Sequence, residues 1–292
     1  MQVRAVRGGE SVQVPGLTVR YGMAVENTKA QFCVEKRFDT IPTLDATRMR
    51  LFEVLQSDDA DIERVERIVS TDPAVTAKVI KLANSPFYRH AQQHLGLHQS
   101  LLTIGLDMVK CISLSMTVMD RLKCETRYAR DLWAHSYAAA LIAISLGTNK
   151  AEKDRLFTGA LLHDLGRMIF LFIAPEVYTA LIDSEGCRPG EDLERQTFSI
   201  SHTELGESVA RKWNFPEEIV EIISSHHRPV SRDSALVCLI NHVIRRCEMG
   251  VTEADRSCLG MVRPFLGDAY KDLVNTIIQR YKTNTVMIES LF

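Results

Sequence analysis

From Thr43 onward the chain carries one hydrophobic period, that of the α-helix, interrupted again and again by residues that start or stop helices. Ile62, Val65, Ile68 and Val69 repeat at helical spacing. Asp72-Pro73 then reads as a helix start, with Asp as cap and Pro at the first helical position. Val75, Val79 and Leu82 line one face of the next helix, which should stop near Asn84-Ser85-Pro86 because the residue before Pro avoids helical geometry. Ser100 to Ile104 and Met108 to Leu122 follow, split at Gly105. Leu132 to Leu146 is closed by Gly147, and Arg155 to Leu165 by Gly166. Pro175 opens a helix towards Ser184, and Glu185 to Gly190 reads as a loop. Ser201 caps His202 to Trp213, Pro216 opens a helix to His226, and Ser234 to Cys247 follows Pro229. Asp268 to Tyr281 is amphipathic. No run of strands appears after residue 40, so the reading is all-α, a helical bundle with short connections.

Residues 1–37 are unlike the rest. Gly8, Gly9, Pro15, Gly16 and Gly22 interrupt them, and Val12, Val14, Leu17, Val19 and Tyr21 alternate loosely, which reads as an irregular extension or a short strand hairpin. They are too few for a receiver, kinase or cyclase domain, so any signal is expected to arrive by binding. Arg4 and Arg7 have no apolar stretch behind them, unlike a secretory signal. The most apolar helical run, Ala138 to Leu146, is too short for a membrane span, and no membrane insertion is expected. Seven cysteines without CxxC spacing point to reduced thiols and a cytoplasmic protein, with Cys111 and Cys238 as small core residues. With 35 basic against 37 acidic residues, the net charge of −2 gives no reason to expect nucleic acid as a partner. The locally basic stretch Lys110, Arg121, Lys123, Arg127 and Arg130 reads as solvated helix faces.

Polar residues placed on apolar stripes carry the functional argument. His163 follows Leu156 and Gly159 by seven and four residues. His226 follows Ile219 and Ile222 in the same way. His202 leads Leu205, Val209 and Trp213, and His135 lies three residues after Leu132. All four are predicted to face the core, with Asp164 and His227 beside two of them. Taken singly, each is most simply a hydrogen-bonded core or surface histidine. As a set they predict a shared polar pocket, because buried imidazoles are costly without partners. A divalent ion is one such partner, and imidazole with carboxylate suits Fe, Mn, Zn or Ni. His90, His94 and His98 lie in a polar connection and are read as exposed.

The stretch Ala160-Leu161-Leu162-His163-Asp164-Leu165-Gly166-Arg167 resembles the signature of the HD phosphohydrolase superfamily. Several further segments narrow the resemblance to HDOD domains: Ile41-Pro42-Thr43-Leu44, Ser70 to Val79, Leu82 to Tyr88, Leu132 to Ser136, Ser201 to Gly206, Trp213 to Val220 and His226 to Pro229. The resemblance implies an HDOD domain over residues 38–248, with an N-terminal helical part (38–125) and an HD-like part (126–248). Residues 249–292 would be helices packed on it, which leaves a homodimer open. It also implies bacterial signal transduction, with partners among signalling proteins of two-component or cyclic-dinucleotide pathways. His135, His163 and Asp164 take the positions of the superfamily's first metal ligands. His202, His226 and His227 resemble the extra ligands of its cyclic-dinucleotide-hydrolysing branch. Two departures speak against hydrolysis. The final ligand position holds Asn241 where the superfamily has Asp, and Arg228-Pro229-Val230-Ser231 stands where that branch has Gly-Tyr-Pro. A regulatory protein with a degenerate pocket is therefore expected. The alternative is a metal-dependent phosphohydrolase, in which Asp164 would be the catalytic carboxylate.

Overall fold

A computed structural model describes residues 11–14, 17–20, 37–42, 53–54, 61–85, 88, 96–122, 126–250 and 256–289. Strands β1 (Ser11–Val14) and β2 (Leu17–Arg20) pair antiparallel, Val12 opposite Val19 and Val14 opposite Leu17. This is the alternation visible in the sequence, although Tyr21 lies outside the described residues. Everything else that is regular is helical. α1 (Ile62–Val69), α2 (Pro73–Ala83), α3 (Leu97–Ile104) and α4 (Leu106–Leu122) form the N-terminal group. The second group comprises α5 (Arg127–Leu146), α6 (Lys150–Leu162), α7 (Leu165–Ile173), α8 (Pro175–Glu185), α9 (Glu191–Phe198), α10 (His202–Lys212), α11 (Glu217–Ser225) and α12 (Arg232–Glu248). α13 (Arg256–Leu266), a single 3-10 turn (Gly267–Ala269) and α14 (Tyr270–Glu289) close the chain.

Local chemistry explains the boundaries. The Asp72 side chain accepts from the backbone N–H of Ala74 and Val75 ahead of Pro73. Thr126 and Asn149 cap α5 and α6 in the same way. At α10, Ser201 and Glu204 satisfy each other's backbone donors in a reciprocal capping box. One continuous apolar core then runs from Ile41 to Ile278. α5 packs along α6, α12 and α14, and α10 packs against α7 and α11. The segment at residues 37–42 is tied to the second group: Trp213 Nε1 donates to Pro42 O at 2.9 Å, and Lys212 Nζ donates to Phe38 O at 3.0 Å.

Several expectations need correction. Gly166 does not end a helix. α6 ends at Leu162, and Gly166 lies in the first turn of α7, where a Cβ would sit 1.9 Å from His202 O. The glycine permits a close helix crossing, so its signal was misread as a C-cap. α9 is a whole helix that the sequence reading left as unassigned chain, because its acidic first turn, Glu191, Asp192 and Glu194, carries little apolar period. The longest apolar helical run is not Ala138 to Leu146 but Lys150–Ile173, α6 and α7 taken together across the His163-Asp164 turn, whose length and mean hydropathy of 1.5 would suffice to cross a membrane. Its most apolar window is 94% buried, as central helices of a bundle must be. Lys110 is no solvated charge: it is buried and pairs with Asp154 at 2.6 Å. Arg127 and Arg130 are exposed as expected, while the side chains of Cys111, Arg121 and Lys123 lie outside the described residues, as do His90 and His94. Cys238 is buried. His98 is exposed, but on α3 rather than in a connection, with Nδ1 2.6 Å from Glu66 Oε2.

Candidate metal centre

Helices α5, α6, α10, α11 and α12, with the turn between α6 and α7, deliver the pocket. His135 projects from the middle of α5. His163 caps the C-terminus of α6, and Asp164, with non-helical φ −96° and ψ 21°, turns the chain into α7. Its carboxylate makes no capping bond to α7 and is therefore available to the pocket. His202 is the first residue of α10, His226 caps the C-terminus of α11, and Asn241 comes from α12. His135, His163, Asp164, His202, His226 and Asn241 are all buried, and His227 is half-buried.

The side chains expected to meet do meet. Ring centroids lie 5.3 Å apart for His135 and His163, 4.9 Å for His163 and His226, and 4.2 Å for His226 and His227. Asp164 is the hub: its carboxylate oxygens lie 3.5 Å from His163 Nε2, 3.6 Å from His202 Nε2 and 3.7 Å from His226 Nε2. Two sets of ligand-type atoms each fall within 4.8 Å of one another. One comprises His135, His163 and Asp164, and the other Asp164, His202, His226 and His227. Asn241 Oδ1 lies 3.0 Å from His135 Nε2, which puts the seventh sequence-nominated residue at the edge of the first set.

Four imidazoles are oriented through Nδ1. His163 faces Ala160 O at 2.7 Å, His226 faces Ile223 O at 2.9 Å, His202 faces Glu194 Oε2 at 2.5 Å, and His135 faces Glu248 Oε1 at 2.8 Å. Each acceptor holds the proton on Nδ1, which leaves Nε2 as a lone pair aimed inward. This is how metal-binding histidines are usually held. Burial supports the neutral form. It pushes His135 below its ordinary pKa and His163 and His202 well below theirs, and it does the same to His227. For neutral His135 to bond Asn241, the amide N–H must face Nε2, with O and N exchanged along the same contact.

The donor set fits a cation. His163 Nε2 and His226 Nε2 are buried with no hydrogen-bond partner, and such orphaned acceptors are costly unless something fills the space between them. His202 Nε2 and His227 Nε2 face each other at 3.1 Å, where a shared ion would satisfy both. Bound there, a divalent ion would supply an acidified water.

The surroundings were not legible beforehand. Arg167 donates through Nε to Asp164 Oδ1 at 2.9 Å, and through Nη1 to Glu194, Tyr178 and Pro189 O. Burial alone would raise the Asp164 pKa, but Arg167 and His163 outweigh it and hold the carboxyl well below the usual range. Burial pushes Glu194 up, although Arg167 and the backbone N–H of His202 oppose this. Glu248 is held down to about 2, because His135 and Arg188 outweigh its burial. Arg188 bonds Glu248 at 3.2 Å and lies 4.0 Å from Asp164 Oδ2. One sequence signal was available for part of this: Arg245 and Glu248 follow Asn241 at four and seven residues, on the same stripe of α12. Nothing comparable marks Glu194 or Arg188, which reach the pocket from α9 and the loop before it.

Comparison with known proteins identifies the family. The HDOD domain model matches residues 41–229. An uncharacterized protein of Treponema pallidum is 25% identical over 209 residues, which is 69% of this chain and 40% of that protein. Ribonuclease Y of Pseudothermotoga lettingae is 31% identical over 127 residues, 41% of this chain and 19% of the enzyme. The chain thus spans less than half the length of the curated relatives it matches. An HDOD domain protein with unknown function from Geobacter sulfurreducens superposes with a TM-score of 0.69 at 23% identity, over 88% of this chain and 96% of that one. At that identity the likeness speaks for the fold. With the family match spanning well over half its length, the chain belongs to the HDOD family.

Proposed function

We propose that this chain is a regulatory module of bacterial signal transduction. It acts through contacts with partner proteins and a ligand-responsive His/Asp pocket, and it does not turn over phosphoesters. The observation that carries this reading is the charge of the pocket. Asp164 is the single carboxylate in either ligand set, Asn241 adds none, and Arg167 already occupies Asp164 Oδ1. Around them Asp164, Glu194 and Glu248 are matched by Arg167, Arg188 and Arg245, so the pocket is balanced before any ion enters. A pair of dications sharing one carboxylate would be left strongly under-neutralised in a buried site. One Fe, Mn, Zn or Ni ion held by imidazoles is better accommodated, in a structural rather than a hydrolytic role.

The full chain loaded with each of these metals should show no turnover of a generic phosphodiester or a cyclic dinucleotide above the Asp164→Ala background. Turnover that vanishes in Asp164→Ala would overturn the proposal in favour of a metal-dependent phosphohydrolase. That second reading draws on the orphaned Nε2 atoms of His163 and His226, which are oriented as ligands would be.

A further inference from the structure

An open cavity of about 450 Å³ adjoins the His/Asp pocket at His135 and Arg167, bounded by α5, α7, α8, the loop between α8 and α9, the C-terminal end of α12 and Tyr281 in the middle of α14. Its size falls within the range of small-molecule sites, roughly 300–1,000 Å³. Leu132, Leu171, Ile182, Tyr128 and Tyr281 supply apolar and flat walls, and Arg188 and Arg245 supply charge. Among the described residues the Arg245 guanidinium makes no hydrogen bond and no close ion pair; it is partly buried near Arg167 and Arg188 and acts on Glu248 and Asp164 only through space. Arg188 Nη1 is buried and has no hydrogen-bond partner. The acidic groups on the same wall are already engaged, Glu248 by His135 and Arg188, and Asp131 by Arg127 at 3.6 Å. Two guanidinium groups thus face the cavity, one with no hydrogen bond and one with a buried Nη1 left unbonded, and both have donors to offer an anion.

We propose that this cavity binds a small organic phosphate with a flat body, of nucleoside monophosphate size, through Arg188 and Arg245. Two guanidinium forks suit the several oxygens and double charge of a phosphate monoester better than a single carboxylate. The tyrosines and aliphatic side chains offer the base a stacking surface. The proposal deepens the regulatory reading and rests on it: the phosphate is the ligand to which the pocket responds. Arg188 is the link. An anion seated on it competes with Glu248 Oε2 and Asp164 Oδ2 for the same guanidinium, and Glu248 in turn orients His135.

Calorimetric titration of the full chain tests this with the four nucleoside 5′-monophosphates, their nucleosides and inorganic phosphate. At least one nucleotide should bind, with its nucleoside and free phosphate each weaker by about tenfold or more, since both halves of the ligand are used. Arg245→Gln and Arg188→Gln should each weaken binding by about tenfold or more, Arg245→Gln at an unchanged thermal midpoint. Arg245→Lys, which keeps the charge, should recover part of the loss. Binding by none of the four at millimolar concentration would overturn the assignment, as would full affinity in both glutamine variants. Chromatography of the same samples separates the two proposals. Conversion of a bound nucleotide would end the non-catalytic reading and leave the cavity assignment standing, whereas neither binding nor conversion would do the reverse.

Discussion

Replacing Gly166 by alanine adds one methyl group where α7 crosses α10. The new Cβ would stand 1.9 Å from His202 O, 2.7 Å from its carbonyl carbon and 2.8 Å from its Cα, whereas real Cβ atoms keep at least 3.0 Å. The obstacle is backbone, which cannot swing aside as a side chain can, so the crossing must open by about 1.1 Å or more. Overpacking of this kind costs about 3 kcal/mol, at the upper end of its usual range. Alanine recovers about 1 kcal/mol through its better helix propensity, so the net loss should be about 2 kcal/mol. Gly260 is the control. It is an exposed residue of α13 with nothing within 4 Å of an added Cβ, and Gly260→Ala should raise stability by about 0.5–1 kcal/mol. Urea unfolding followed by far-ultraviolet circular dichroism measures both. With a slope of about 3 kcal/mol per M, Gly166→Ala should lower the midpoint by about 0.7 M and Gly260→Ala should raise it. Because the displaced backbone belongs to His202, Gly166→Ala should also weaken metal binding, and Gly260→Ala should not. The close-crossing argument fails if both variants move the midpoint in the same direction.

Glu194→Ala strands the guanidinium of Arg167 and the Nδ1–H of His202 in the core, at a cost of about 3–5 kcal/mol, while Asp192→Ala on the same helix should leave the urea midpoint unchanged. The histidines give a pH dependence in metal-free protein. The folded-state pKa values of His135, His163, His202 and His227 lie below the unfolded value, so the unfolded chain binds more protons as pH falls. Stability is therefore full above about pH 6.5 and declines below it, each such group adding up to about 1.4 kcal/mol per pH unit. A thermal midpoint that stays flat from pH 7 to 5 would contradict burial of these rings in neutral form. Asn241→Asp restores a charged oxygen beside His135 Nε2 and should tighten binding of Mn or Zn by tenfold or more in equilibrium dialysis. Equal affinity in the two proteins would remove Asn241 from the ligand set.

Helix existence was largely legible in the linear order of residues. Asp72-Pro73, Ser201 with Glu204, and the apolar stripes that carry His163 and His226 each work within one or two turns, through capping bonds and a period that a single helix expresses by itself. The inward direction of the four histidines followed from the same local rule, and the rings do converge. Gly166 shows the limit of such reasoning. The same residue serves as a stop signal or as a crossing point, and only the arrival of α10 with His202 decides which.

The sequence alone determined the helical class, the family and the seven residues that line the pocket, because periodicity, caps and motif order are properties of neighbours along the chain. Tertiary structure alone decided which charges surround that pocket. Glu194 comes from an acidic helix with no apolar stripe to reveal its inward side and Arg188 from a loop, whereas Arg245 and Glu248 share a stripe of α12 with Asn241 but had no partner until the helices packed. Electrostatic balance depends on distances across the fold, and those distances are set only when separate helices pack against one another.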